Sequence, residues 1–164
     1  MESAILTTLN PGAYTAIVRG YHESVGTALV EVYDLATGGS KLGNISTRGF
    51  VQTGDDVMIA GVIVQVHSKR VIVRALGPTL TNFGVSNALA DPTLEVHDGN
   101  GALLASNDDW KDVQENTITA TGLAPQNDLE SAMVGTLMPG NYTAIVRGYS
   151  NTIGNALVEV YGLD

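Results

Sequence analysis

The chain opens on a copy of its own C-terminal segment. Residues 2–35 align without a gap to residues 130–163, and the two segments agree at 23 of 34 positions. Each copy holds two runs of strand-forming residues, separated by turn residues, at 14–19 and 28–33, and at 142–147 and 156–161. The duplication predicts three parts: an extra copy of the C-terminal strand pair at 1–35, a linker of small residues at 36–41, and a full unit at 42–164.

The rest of the unit is predicted to be almost entirely β-structure. Five further runs have the alternation or the β-branched content of strands, at 45–52, 57–66, 69–76, 93–98 and 102–106. Turn-forming residues separate these runs, and the chain contains 19 glycines. Only 113–121 and 127–135 have the composition of short helical turns, the second with Asn127 as its cap. We therefore predict an all-β fold, a jelly-roll-like β-sandwich with very little helix.

Composition excludes several classes of function. The net charge is −9 and the eight basic residues are scattered, which argues against nucleic acid as a partner because phosphate binding needs clustered Lys and Arg. The longest apolar stretch, 57–66, is about half the length needed to span a bilayer, so no membrane span is predicted. The chain has no cysteine, which removes disulfides, thiolate nucleophiles and cysteine-based zinc sites.

Part of the sequence resembles a known family. The motifs DPTLEVHDGNG at 91–101 and LASNDD at 104–109, followed by LMPGNYTAIV at 137–146, are similar to the bacterial pre-peptidase C-terminal domain. Residues 41–80 resemble repeated modules of large secreted bacterial surface proteins. The resemblance implies a jelly-roll-like sandwich of an exported bacterial protein, placed outside the cell or on its surface. It also implies a role in adhesion, binding or assembly, not in catalysis.

A loop rich in oxygen donors follows the predicted strand 93–98. Calcium takes six to eight hard oxygen ligands, which loops between strands can supply. The candidate ligands are Asp98, Asn100, Asn107, Asp108, Asp109 and Asp112. The alternative is that these residues only form Asx-turns in tight hairpins. Calcium is the one cofactor that the sequence suggests, and none is required by it.

No motif indicates catalysis. The three histidines are too far apart for a local metal motif, and no nucleophile elbow occurs. Adjacent carboxylates such as Asp108 and Asp109 point apart in extended chain, unlike the carboxylate pair of a glycosidase. Trp110 could stack on a sugar ring as a ligand-binding residue, or it could close a loop against the core. The chain is therefore predicted not to be an enzyme.

The extra copy must bury its apolar side chains somewhere. Burying such side chains contributes about 1.5–3 kcal/mol each, and the copy carries seven of them, Tyr14, Ile17, Val18, Leu29, Val30, Val32 and Tyr33. An isolated two-stranded hairpin is marginal in water, and its edge is a template for pairing. One interpretation is self-association of identical chains into a head-to-tail fibre. The others are a tandem array whose tail folds back, or a calcium-dependent module that binds glycan or a cell surface.

Overall fold

The computed structural model describes residues 2–35 and 42–163. The chain divides into two units, residues 1–40 and 41–164, and the predicted linker at 36–41 lies outside the described residues. Among the described residues, no helix combines the length and the apolar character that crossing a bilayer requires.

The second unit is a β-sandwich with one α-helix. Its strands alternate side chains between a buried and an exposed face, as the period of two predicts. In chain order the elements are β1 Asn44–Val51, β2 Met58–Val64, β3 Lys69–Leu76, β4 Pro92–Asp98, β5 Leu103–Asn107, α1 Lys111–Ala120, β6 Ser131–Leu137, β7 Gly140–Gly148 and β8 Gly154–Gly162. A 3₁₀ segment, Pro78–Phe83, lies in the connection between β3 and β4.

The strands form two four-stranded sheets, ordered β1-β8-β3-β6 and β2-β7-β4-β5. Every pairing between these strands is antiparallel. Five of the six pairings involve β6, β7 or β8, and only β4 with β5 does not. The last three strands never pair with one another in the described part of the chain: β6 and β8 flank β3, whereas β7 lies in the opposite sheet.

The core lies between the sheets, where β-branched and leucine side chains from both inner faces meet. Its fully buried members include Val51, Leu94, Val146 and Val158. A second cluster lies beneath α1, where Ile72 packs with Ile118, Ala132 and Trp110. Strand β3 is therefore covered on both faces, by the opposite sheet on one and by the helix on the other. This explains its nearly continuous apolar sequence, Val71-Ile72-Val73.

The predicted fold class is confirmed, and one predicted element of the second unit is wrong. The two antiparallel sheets and the single α-helix match the all-β sandwich expected from the sequence. Residues 127–135, however, do not form a helical turn: they lead into the strand Ser131–Leu137. Asn127 does accept a hydrogen bond from the Leu129 N–H, at 3.0 Å, as a capping residue would. The cap closes a turn before a strand, and β3 supplies the partner that makes Ser131–Leu137 extended.

The first unit contains no strand between residues 2 and 35. The strands predicted at 14–19 and 28–33 are therefore wrong, and so is the assumption that such a pair forms a hairpin. The counterparts of these runs, β7 and β8, belong to different sheets and take their hydrogen-bonding partners from β1, β2, β3 and β4. A segment that holds only copies of β6, β7 and β8 lacks every partner that makes those strands.

Candidate functional site

Three carboxylates meet where β4 begins and β5 ends. Asp91 directly precedes β4, and Asp108 and Asp109 directly follow β5. Because the two strands are antiparallel neighbours, with Leu94 opposite Asn107, the start of one lies beside the end of the other. One carboxylate oxygen from each of the three residues lies within 4.8 Å of the others.

The three carboxylates each have one sheltered oxygen, and the surroundings of Asp91 and Asp108 disfavour their negative charge. One oxygen, Oδ1, of each is inaccessible to solvent and accepts no hydrogen bond from any described residue. Burial, followed by the charges of Asp108 and Asp109, raises the pKa of Asp91. Burial, followed by the charges of Asp109 and Asp112, raises the pKa of Asp108. Sheltered carboxylate oxygens with no donor are the groups that a hard cation satisfies.

Hydrogen bonds within this loop and to the start of β6, in the opposite sheet, fix its backbone. The Asn107 side chain donates to the Asp109 carbonyl at 2.9 Å and accepts from the Ala132 N–H at 2.9 Å. The Trp110 N–H donates to the Glu130 carbonyl, also at 2.9 Å. The loop is thereby tied to the start of β6. Asn107 uses its side-chain oxygen and nitrogen in these contacts, so it acts as a brace of the loop.

The six predicted calcium ligands lie at two ends of a hairpin. Asp98 and Asn100 are at the tip, where Asp98 Oδ1 accepts the N–H groups of Asn100 at 2.8 Å and of Ala102 at 2.9 Å. These hydrogen bonds lower the pKa of Asp98 and form the Asx-turn that was the alternative interpretation. The five residues of β5 separate tip from base by roughly 17 Å. One ion cannot contact both ends of the hairpin. The six predicted calcium ligands therefore cannot form a single site.

At the base, the structure brings Asp108 and Asp109 together with a residue that sequence reasoning missed. Asp91 was not among the predicted ligands, although a hairpin of β4 and β5 places it beside the residues that follow β5. Asp112, in the first turn of α1, contributes its charge to the surroundings of Asp108. The usable signal in the sequence was the pairing of the two strands, not the spacing of the acidic residues.

The Trp110 side chain packs in the core, which was one of the two predicted alternatives. It is 6% exposed, lies in the cluster beneath α1, and its indole N–H donates to the Asn127 carbonyl at 3.1 Å. The Lys111 ammonium lies 5.3 Å from the centre of the ring. A ring in this setting leaves little surface on which a sugar could stack.

The second candidate site is the unit formed by residues 2–35. This unit contains a turn of the same conformation as one in the sandwich. In the sandwich, Tyr142 Oη donates to the Met138 carbonyl at 2.8 Å, and the turn after β7 holds Ser150 at φ 52° and Asn151 at φ 63°. In the first unit, Tyr14 Oη donates to the Asn10 carbonyl at 2.9 Å. Its own turn holds two residues in the same left-handed region, His22 at φ 50° and Glu23 at φ 59°. We call residues 10–35 the N-terminal corner and residues 138–163 the C-terminal corner.

A glycine is required at the start of each of these turns. A Cβ atom on Gly148 would lie 2.0 Å from the Thr152 carbonyl oxygen, and one on Gly20 would lie 1.8 Å from the Ser24 carbonyl oxygen. Both contacts are far inside the range that real Cβ atoms occupy. The N-terminal corner therefore already has the turn by which β7 crosses to β8.

The two corners differ in burial. Val146, Val158 and Val160 of the C-terminal corner are 0%, 1% and 6% exposed. Their counterparts in the N-terminal corner, Val18, Val30 and Val32, are 57%, 46% and 52% exposed. The other predicted contact residues, Tyr14, Ile17, Leu29 and Tyr33, are exposed as well. The same apolar side chains thus form a core in one copy and are presented to solvent in the other.

No protein-family model and no curated protein sequence matches the chain. Among solved structures, the chain is similar to the pre-peptidase C-terminal domain of a collagenase from Bacillus anthracis, with a TM-score of 0.46 and 17% sequence identity. The match covers 71% of this chain and 88% of that chain. That neighbour bears the name of the family that the motifs at 91–101, 104–109 and 137–146 resemble.

Proposed function

We propose that this chain is a non-enzymatic structural module, placed outside the bacterial cell or on its surface, that associates with further copies of itself through residues 2–35. The observation that carries the proposal is the pair of corners: one buries its valines and the other exposes the same valines on the same turn. Exposed apolar side chains on a preformed turn are the pattern of an interaction surface.

The energies are of the size that reversible association needs. The seven exposed apolar side chains of the N-terminal corner correspond to on the order of 10 kcal/mol of gross burial. Association costs an estimated 4–15 kcal/mol in lost freedom of motion. We therefore expect assemblies that depend on protein concentration. In this proposal the N-terminal corner binds a different surface of the next copy. Such a contact is heterologous, and its repetition gives an open head-to-tail fibre.

Two valine-to-aspartate variants test the proposal. Val18 is the counterpart of fully buried Val146, whereas Val25 is the counterpart of Ile153, which is 55% exposed in the sandwich. In sedimentation velocity across a concentration series, the full chain is expected to form assemblies larger than the monomer. Val18→Asp is expected to be monomeric, and Val25→Asp is expected to assemble as the unchanged chain does.

Either of two results would contradict self-association. The first is a full chain that stays monomeric at every concentration. The second is equal behaviour of Val18→Asp and Val25→Asp, since that would remove the link between assembly and the valines that the C-terminal corner buries.

A second candidate function is a calcium-dependent module that attaches to glycan or to a cell surface. It is favoured by the convergence of Asp91, Asp108 and Asp109, each with one sheltered oxygen that no described residue satisfies. A cation held by the folded unit alone would stabilise it in proportion to RT ln(1 + [L]/Kd). The ion would tie the start of β4 to the end of β5, and so fix the loop that leads into α1.

Thermal melts with calcium and with EDTA test this candidate. Calcium is expected to raise the Tm of the unchanged chain, and Asp108→Asn is expected to abolish that increase. Asp98→Asn is the control, because Asp98 lies at the opposite end of the hairpin and its variant should keep the calcium effect. Superimposable melts of the unchanged chain with calcium and with EDTA would leave the cluster as a structural feature only.

A further inference from the structure

The four strands at the edges of the sandwich are not equally open. Strand β6 is covered: Gln114 of α1 donates to the Val134 carbonyl at 3.0 Å and accepts the Val134 N–H at 2.8 Å, in the place of a neighbouring strand. Strand β5 has five residues, and its pairing with β4 shifts register between Val96 and His97. Strands β1 and β2, with eight and seven residues, are the long edges that no further strand of the described residues covers.

Strand β2 also lacks the usual protection of an edge. Natural edge strands are commonly guarded by charged residues, proline or bulges, and the β2 sequence, Met-Ile-Ala-Gly-Val-Ile-Val, contains neither a charged residue nor proline. On its outer face Ile59 and Ile63 are 56% and 61% exposed. On its inner face Ala60 and Val62 pack against the core and remain partly exposed.

We propose that the β1/β2 edge of one copy receives the N-terminal corner of a second copy, a proposal that rests on the self-association proposed above. Run 14–19 would add to β2 and run 28–33 to β1. The C-terminal corner shows that the sequence suits these neighbours, because β7 already pairs with β2, and β8 already pairs with β1. The new corner would use the edges of β2 and β1 that face away from β7 and β8.

Strand directions allow both additions at once. Strand β1 packs against β2 across the sandwich, and β8 packs against β7. Both existing pairs are antiparallel. A second corner displaced sideways by two strand spacings, roughly 10 Å, keeps the directions of β7 and β8 and so meets both open edges in the antiparallel sense. Because the turn of the N-terminal corner is already formed, both strands can add as one body.

The faces of the strands also match. Alternation places Val18, like its counterpart Val146, toward the core. In the register of β7 it would lie at the level of Met58, and Ala16 and Tyr14 would lie opposite partly exposed Ala60 and Val62 of β2. Ile17, the counterpart of Ile145, would face outward opposite Ile59. On β1, Arg48 lies on the exposed face, and Glu31 lies on the corresponding face of the incoming run. A cross-strand pair of opposite charges is favourable in a sheet.

The number of segments in the described residues disfavours a strand swap between two copies. Residues 2–163 hold two copies of the β6–β8 sequence and one set of β1–β5, so a swap of these segments between two copies leaves one β6–β8 sequence without partners. Addition at the open edge displaces no strand, and the described residues hold one N-terminal corner and one β1/β2 edge. A second copy of this chain is therefore the occupant that the count favours.

Blocking the two surfaces in separate chains tests the proposal. Val18→Asp blocks the corner, and Ile59→Lys with Ile63→Lys blocks the β2 edge. Each variant alone is expected to be monomeric in sedimentation velocity. Their equimolar mixture is expected to give a dimer and nothing larger, because only one open corner and one open edge can meet. Leu104→Lys, on the β5 edge at 52% exposure, is the matched control and is expected to assemble normally.

The results separate this proposal from the one on which it rests. If the edge variant assembles like the unchanged chain while Val18→Asp does not, self-association holds and the β1/β2 edge is not the acceptor. If the unchanged chain is monomeric, both proposals fail. Circular dichroism checks the fold of the edge variant. If that variant is unfolded, Arg48→Glu replaces it, with at least a several-fold weaker association expected and recovery when Glu31→Arg is added. No weakening by Arg48→Glu would then overturn the edge assignment.

Discussion

Residues 2–35 and 130–163 share most of their sequence and differ in almost everything that depends on neighbours. Both form the tyrosine hydrogen bond and the left-handed turn, which rest on contacts between residues close in sequence. Only the C-terminal copy forms strands. The difference shows that contacts between residues close in sequence determine the turn. The flanking runs form strands only where β1–β4 provide hydrogen-bonding partners.

The first prediction concerns the same substitution in the two copies. Val146→Asp places a carboxylate in the core and is expected to lower the free energy of unfolding by more than about 4 kcal/mol, or to prevent folding. Val18→Asp is expected to leave the stability of the sandwich unchanged, since Val18 is 57% exposed. Urea denaturation followed by fluorescence measures this, because the single tryptophan, Trp110, is in the sandwich.

Equal effects of the two valine substitutions would contradict the comparison. They would mean that residues 2–35 contribute to the folding of residues 42–163 as much as the C-terminal copy does. The measurement is made at a protein concentration at which the unchanged chain is monomeric, so that loss of assembly does not enter the comparison.

The sequence predicted most of the sandwich for a clear reason. Runs such as 69–76 have the β-branched content of strands, and they become strands because complementary runs lie elsewhere in the same unit. The secondary-structure predictions failed at segments whose conformation depends on whether a partner strand is present. Residues 131–137 include Gly135 and small residues at their start, so their strand state depends on β3. Residues 14–19 and 28–33 read as strands and lack their partners.

The second prediction compares Glu130 with its counterpart Glu2. The Glu130 carboxylate is fully buried and accepts the N–H groups of Gly77 at 3.1 Å and Thr79 at 2.9 Å, and the Thr79 hydroxyl at 2.8 Å. Glu130→Gln replaces one acceptor oxygen by a donor, which is expected to cost about 1–3 kcal/mol of stability. Glu2→Gln is expected to change nothing, since Glu2 is exposed.

Urea denaturation of the two variants, side by side, checks this pair. Glu130 holds the 3₁₀ segment after β3 against the start of β6, and its contacts join residues more than fifty positions apart. A Glu130→Gln protein as stable as the unchanged chain would show that this loop is held by other contacts.

The carboxylate cluster shows how far site prediction could go. The many acidic residues between positions 98 and 112 predicted a calcium site there. Their number does not indicate which carboxylates lie close together in the folded chain. Asp98 is used by the hairpin tip, whereas Asp91 enters the cluster from before β4. Only strand pairing brings Asp91 beside Asp108. None of the three clustered residues lies in the duplicated segments, so the cluster belongs to the sandwich alone.

The last and smallest predicted effect is on the pH dependence of stability. Burial raises the pKa of Asp91 and Asp108, so the folded unit binds protons more readily than the unfolded chain at these two residues. Their contribution to stability is therefore fully present below the ordinary carboxyl pKa, near 4, and is lost as the pH rises through the raised values. In EDTA, Asp108→Asn is expected to melt above the unchanged chain at pH 7, and this advantage should shrink toward pH 4. Deleting residues 2–35 should leave the trend intact, because the copy holds none of the three carboxylates. A difference in Tm that does not vary with pH would show that the raised pKa values do not affect folding.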